Sequence, residues 1–276
     1  MKKILVPCDF SYTSKQAYTF ALDLAKKTDA EVYVLKVIDI PFMYEAYSTA
    51  PPAYLNPEVW KQLETENRDM FNKMKSEHGR QSEITFRIEE GPVTDTIIKF
   101  IEREEIDMVV MGTKGSTGLD EYLVGSNTEK IVRFSKVPVF AIRKMVNLSS
   151  IRNIVFPTTL KIKDTTFIER LKALQEMLDA TLHVLSVNIP TNMNRVKFEE
   201  SELGDFARKY GLKNCTFNVM YDANEEQGIV SFADKIHADM IALGTHGRRG
   251  LAHLFAGSVA EDLVNHVSCP IWTCRL

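Results

Sequence analysis

Met111-Gly-Thr-Lys-Gly115 returns 132 residues later as Leu243-Gly-Thr-His-Gly247. At the same separation of 132, Gly125-Ser126 returns as Gly257-Ser258, and Val137-Pro138 as Cys269-Pro270. Further out, Ile4-Leu-Val-Pro7 matches Ile154-Val-Phe-Pro157 and Val37 matches Val187, now 150 residues apart. The separation shrinks by 18, so the first half carries about 18 extra residues after its second strand. The Pro- and Tyr-rich stretch from Pro41 to Trp60 is the segment read as extra. Two copies of so long a pattern mean tandem domains rather than a stacked solenoid. The domains read as 1–146 and 151–276, joined where Asn147-Leu-Ser-Ser follows neither a helical nor a strand period.

Within each half, apolar runs alternate with helical stripes. Residues 3–8 form a continuous apolar run, the mark of a strand buried on both faces. Ala17, Phe20, Ala21, Leu24 and Ala25 follow at helical spacing, with Asp9, Ser11 and Thr13 competing to cap that helix. Strands are read at 32–38, 84–88, 106–111 and 137–142, with helices at 58–78, 93–101 and 126–135 between them. The second half repeats the order: strands 152–157, 181–187, 215–220, 239–243 and 270–274. Its helices are a segment on Ile168, Leu171 and Leu178, then 199–210, 228–237 and 258–266. Strands joined by crossover helices run parallel and are covered on both faces. The predicted fold class is α/β: two tandem doubly wound domains, each a five-stranded parallel sheet with helices on both faces.

Composition limits the function. Of the 276 residues, 45% are hydrophobic and 26% charged, the balance of an ordered globular chain. A net charge of −3 offers no broad basic surface, so no nucleic-acid partner is expected. Apolar runs such as Met108-Val-Val-Met111 are far below the ~20 residues that span a bilayer, so no membrane association is expected either. Four cysteines (Cys8, Cys215, Cys269, Cys274) without a Cys-x-x-Cys pair suit a reducing cytoplasm. No Gly-x-Gly-x-x-Gly follows the first strand, and no Gly-x-x-x-x-Gly-Lys-Ser/Thr occurs, so neither a Rossmann fingerprint nor a P-loop is present. What the chain does carry, twice, is Gly-x2-Gly-x9-Gly-Ser running from the carboxyl end of the fourth strand to a helix start. Glycine there permits close backbone approach, and the helix start presents N–H groups to phosphate oxygens. Ligands of open α/β sheets lie outside the strands' carboxyl ends, where strand order reverses.

In these residues the chain resembles a tandem universal stress protein of the ATP-binding branch. The resemblance rests on Ile4-Leu-Val-Pro-Cys-Asp9-Phe-Ser11, on Val37-Ile38-Asp39, and on both glycine stretches. It implies an adenine nucleotide α-hydrolase-like fold and ATP or another adenine nucleotide as ligand, with Mg2+ as a companion ion. Pro7 and Asp9 would meet the nucleoside and the Val37 backbone the adenine. Met111, Gly112 and Gly115 would bound ribose and phosphates, and Gly125, Ser126, Asn127 and Thr128 would hold the phosphates. A weaker second site would use Val187, Gly244, Gly247, Gly257 and Ser258. It also implies domain pairing through the fifth strands, here Val137-Pro-Val-Phe-Ala-Ile142 and Cys269-Pro-Ile-Trp-Thr-Cys274, with a homodimer as a further assembly.

The second half departs from that pattern. Thr159 stands where Asp9 does, Lys161 where Ser11 does, and Ala260 where Thr128 does. A threonine does not reproduce the two hydrogen bonds a carboxylate accepts. Plainer readings stand beside these. Glycine loops also serve turns, Cys8 reads as a small buried strand-end residue, and His246 and His253 lack metal-pair spacing. The leading functional reading is a nucleotide-binding regulatory or stress-response protein without fast catalysis. The alternatives are a ligand-free interaction module and an adenylating enzyme of the wider superfamily. Against the last stands Asp9-Phe-Ser11, in place of the Ser-Gly-Gly pyrophosphate loop.

Overall fold

The structure, a computed structural model, describes residues 1–39, 57–77, 83–113, 125–160, 162, 165–190, 199–245, 263, 267 and 269–276. In chain order these form β1 (Lys3–Pro7), α1 (Tyr12–Thr28), β2 (Glu31–Ile38), α2 (Pro57–Ser76), β3 (Ile84–Glu90), α3 (Val93–Arg103), β4 (Met108–Gly112), α4 (Ser126–Phe134) and β5 (Val139–Ile142). A single 3-10 turn at Leu148–Ser150 leads into the second half. There follow β6 (Asn153–Pro157), α5 (Thr165–Leu178), β7 (Thr181–Asn188), α6 (Glu200–Tyr210), β8 (Cys215–Tyr221), α7 (Glu225–Lys235), β9 (Met240–Thr245) and β10 (Ile271–Arg275).

The strands form one sheet in the order β3-β2-β1-β4-β5-β10-β9-β6-β7-β8. Every neighbouring pair is parallel except β5 and β10, which run antiparallel with Phe140 opposite Trp272. In each half the order reverses at the first strand: β1 lies between β2 and β4, and β6 between β7 and β9. Ile4, Leu5 and Val6 are fully buried, as a strand covered on both faces requires. α1 begins at Ser11, whose hydroxyl accepts from the Ser14 N–H at 3.3 Å, so the cap is Ser11 rather than Asp9 or Thr13. The predicted stripe Ala17, Phe20, Ala21, Leu24, Ala25 is buried throughout.

The repeat extends to backbone detail. Left-handed φ values of 64° at Phe10 and 62° at Leu160 recur at the 150 separation, as do 53° at Asp29 and 51° at Asp179. Asp107 Oδ2 accepts the N–H groups of Lys2 and Lys3 at 2.6 and 3.1 Å, tying the start of β1 to β4. Asp239 repeats this on Arg152 and Asn153, both at 2.9 Å. One core cluster runs along one face of the sheet through both halves, from Ile4 and Phe20 to Phe156 and Trp272. The opposite face carries a separate cluster in each half.

Among the boundaries that differ from the sequence reading, three have a local cause or consequence. The helix read at 228–237 begins at Glu225, because the Asn224 side chain accepts from the Gln227 N–H at 2.8 Å and starts it early. The last strand of the first half begins at Val139, not 137; Pro138 has no N–H to give a ladder. The segment read as extra is in part helix: Pro57 to Trp60 open α2, which has 20 residues against 11 in α6. The remainder of that segment, and most of the helix read at 258–266, lie outside the described residues.

Trp272 is 1% exposed, packs on Phe167 with ring centroids 6.0 Å apart, and its buried Nε1–H has no partner among the described residues. Trp272→Ala is expected to cost ~3–5 kcal/mol in urea unfolding. Trp272→Phe is expected to cost clearly less, because it removes the orphaned donor along with part of the ring.

Candidate functional site

The carboxyl ends of β1, β2 and β4 meet where the strand order reverses. At the end of β1, Asp9 Oδ1 accepts the Ser11 N–H at 3.0 Å, closing a tight turn around Phe10. This turn aims the N-terminus of α1 at β4. The Cys8 N–H donates to the Leu35 carbonyl at 2.9 Å, holding β1's exit beside β2. The Cys8 thiol is buried beside the Ser14 hydroxyl, and burial pushes its pKa up; it is packed, not activated.

Gly112 is a point of close approach. A Cβ there would lie 2.6 Å from the Thr13 carbonyl carbon and 2.9 Å from the Ser14 nitrogen, so only glycine lets α1 sit on the end of β4. The Gly112 carbonyl accepts the Thr128 hydroxyl at 2.7 Å, and the Gly125 N–H donates to the Thr113 carbonyl at 2.7 Å. These two bonds hang the start of α4 over the end of β4. Gly125 is the N-cap of α4 and has no side chain with which to cap it, so among the described residues the first turn has no side-chain cap. Ser126 and Asn127, the first two helical residues, are exposed. The Thr113 hydroxyl is buried, 3% exposed for the residue, and has no hydrogen-bond partner among the described residues.

The residues singled out from sequence therefore fall into distinct positions. Pro7, Asp9, Val37 and Gly112 gather at the strand ends, and Gly125, Ser126 and Asn127 at the start of α4. Two need correction. Thr128 is buried with its hydroxyl engaged by Gly112, so it holds α4 in place rather than facing a ligand. The Met111 side chain belongs to the core cluster with Ile97 and Ile131, which leaves only its backbone near the strand ends. Gly115, Gly247, Gly257, Ser258, Lys161 and Ala260 lie outside the described residues. Thr113 was missed, since a threonine between glycines carries no pattern of its own.

The second half builds the same corner differently. Its turn closes one residue earlier: the Thr158 hydroxyl accepts the Leu160 N–H at 3.0 Å, with Thr159 at the Asp9 position. A Cβ on Gly244 would meet the Leu276 side chain at 2.7 Å, not the backbone of a helix. Pro157, Thr158, Thr159, Leu185, Val187, Glu225 and Ile229 enclose only about 10 Å³, room for one water. Glu225 stands 132 residues after Val93, so a carboxyl replaces an apolar side chain in this wall. Burial pushes its pKa up to about 7 from 4.5.

Among the described residues no group of three His, Cys, Asp or Glu is placed to hold a metal ion. His183 bonds Thr216 at 2.8 Å and Asn153 at 3.2 Å, and burial lowers its pKa. No helix among the described residues is long and apolar enough to cross a membrane.

Two outcomes check this geometry. Gly112→Ala is expected to destabilise the chain by ~1–3 kcal/mol through overpacking against Thr13, read by chemical denaturation. Glu225 holds its proton more tightly in the folded chain than in the unfolded one. Its contribution is therefore complete below pH 4.5 and is lost as pH rises to about 7. Glu225→Gln is expected to flatten that part of the stability profile, and a profile that keeps its slope would contradict the assignment.

The fold has counterparts in known proteins. The model of the universal stress protein family matches residues 1–143 and again 150–275. A universal stress protein of Methanocaldococcus jannaschii is 35% identical over 144 residues, 52% of this chain and 82% of that protein. One of Synechocystis is 21% identical over 294 residues and spans 100% of both chains, so the tandem arrangement recurs there. The crystal structure of a universal stress protein from Archaeoglobus fulgidus superposes with a TM-score of 0.73 at 18% identity, covering 99% of this chain and 98% of that one. With its family pattern matched twice from end to end, the chain belongs to the universal stress protein family as two tandem domains.

Proposed function

We propose that the first half binds ATP or another adenine nucleotide, with Mg2+ as companion, as a regulatory or stress-response device without fast catalysis. The observation that carries this reading is the start of α4. A glycine N-cap and two hydrogen bonds hold the start of α4 over the end of β4, and among the described residues no side chain caps it. Such a terminus attracts phosphate oxygens through its N–H groups and dipole. The Thr113 hydroxyl, buried and without a partner among the described residues, is a second sign of a polar ligand. In this reading Pro7, Asp9 and Val37 meet the nucleoside, Gly112 and Gly115 bound the ribose and phosphates, and Gly125, Ser126 and Asn127 take the phosphates. The second half binds weakly or not at all, because its corner is nearly filled and Glu225 puts a carboxyl in the wall.

The assembly is part of the proposal. Domains 1–146 and 151–276 act as one cytoplasmic unit, joined in solution through β5 and β10, and a homodimer of such units is the further level.

Calorimetric titration with ATP is expected to show about one tight site per chain. Gly125→Val is expected to abolish it, since a β-branched side chain would stand where the phosphates lie. Two equal sites would overturn the asymmetry, and absent ATP binding the whole reading. Thr113→Val removes the orphaned hydroxyl, so the ligand-free protein is expected to gain stability while ATP affinity falls several-fold. Turnover of ATP at ordinary enzyme rates would replace the binding reading with the enzymatic one.

A further inference from the structure

A groove of about 670 Å³ runs between α3 and α4 from Asp39 and Asn127, at the edge of the strand-end corner, to Arg275 on the last strand of the second half. Its walls bring together Lys99 of α3, Lys130 and Arg133 of α4, and Arg275 of β10. All four side chains belong to exposed residues, and among the described residues none of them is ion-paired to a carboxylate. Arg133 instead lies over the Phe134 ring at 5.6 Å. Asp95 and Lys99 stand at i, i+4 on α3, the spacing of a helical ion pair, yet no bridge joins them. Half-buried Val93, Ile98 and Phe134 add apolar surface between these charges.

The chain as a whole is acidic, at −3. Four unpaired cations against two carboxylates, Asp39 and Asp95, therefore make this groove a local reversal of sign. Three of the four cations fall in a row. Lys130 and Arg133 are one helical turn apart on α4, and Arg275 continues the row, because β10 runs antiparallel to β5 and sets its far end beside the end of α4. A linear anion fits a row of charges, and the apolar surface between them fits side chains that a phosphate chain lacks.

We propose that this groove docks an extended acidic peptide segment of a partner protein, with carboxylates on Lys99, Lys130, Arg133 and Arg275 and alternate apolar side chains on Val93, Ile98 and Phe134. The second half contributes a residue to the site through Arg275, so a single domain of this family would present it incomplete. The groove does not need a nucleotide in the first-half corner.

The test is fluorescence anisotropy on the full chain with a short labelled peptide alternating Glu and Leu. Controls are the same peptide with Lys for Glu, the same with Ser for Leu, and inorganic polyphosphate. The Glu-Leu peptide is expected to bind, with the Lys form not binding and the Ser form weaker. Arg133→Glu with Arg275→Glu is expected to weaken binding about tenfold or more, since each reversal turns an attraction into a repulsion. ATP titration of the same double variant is expected to be unchanged, which reports correct folding and separates this site from the nucleotide site. Binding of polyphosphate but not of the peptide would overturn the proposal. So would peptide binding indifferent to the double reversal.

Discussion

A strand that is apolar on both faces must be covered on both, and β1 and β6 impose that demand on each half. Every backbone group of such a strand has to find its partner in the neighbouring ladders. Helices then pack on both sides, and the strand order has to reverse somewhere in the sheet. It reverses at β1, between β2 and β4, and at β6, between β7 and β9. Where neighbouring connections leave in opposite directions, the carboxyl ends of the strands are left uncovered, and that gap is the candidate site.

Within the gap, close approach replaces side-chain chemistry. The turn that Asp9 closes points α1 at β4, and the bare Cα of Gly112 lets the helix start settle on the strand end. Thr128 and Gly125 then suspend α4 above it through two short hydrogen bonds. Backbone groups shape the corner, and among the described residues no side chain caps the helix start it presents. In the second half the same folding logic leads elsewhere. Leu276 occupies the space beside Gly244, the turn closes on Thr158, and Glu225 enters the wall. One of the two equivalent corners brings Asp9, Gly112 and the start of α4 together, and the other is walled by Glu225 around about 10 Å³.

The seam between halves joins these corners to a second kind of surface. Antiparallel β5 and β10 set Phe140 opposite Trp272, and one core cluster continues through both halves on that face. The same register carries Arg275 to the groove beside α4, so a strand from one half completes a charged surface on the other. A two-domain chain thereby presents a surface that either domain alone would lack.

Much of this was readable in the chain itself. Apolar runs at 3–8 and 152–157 and the stripe from Ala17 to Ala25 announce buried strands and covering helices, because periodicity reports which faces meet solvent. The two separations of 132 and 150 announce one fold written twice, to which the structure adds Asp107 and Asp239 as paired pins. Glycine spacing marked the strand ends, since glycine is a backbone requirement that spacing records. Tertiary structure alone decided which polar atoms were already in use. Nothing in the spacing says that Thr128 bonds Gly112, that Thr113 is buried without a partner, or that Met111 faces the core. Nor does it say that Glu225 lines a cavity or that Arg275 reaches a groove of the other half. Those facts depend on distances between residues far apart in the chain. A pattern along the sequence records the period of an element but not what packs against it.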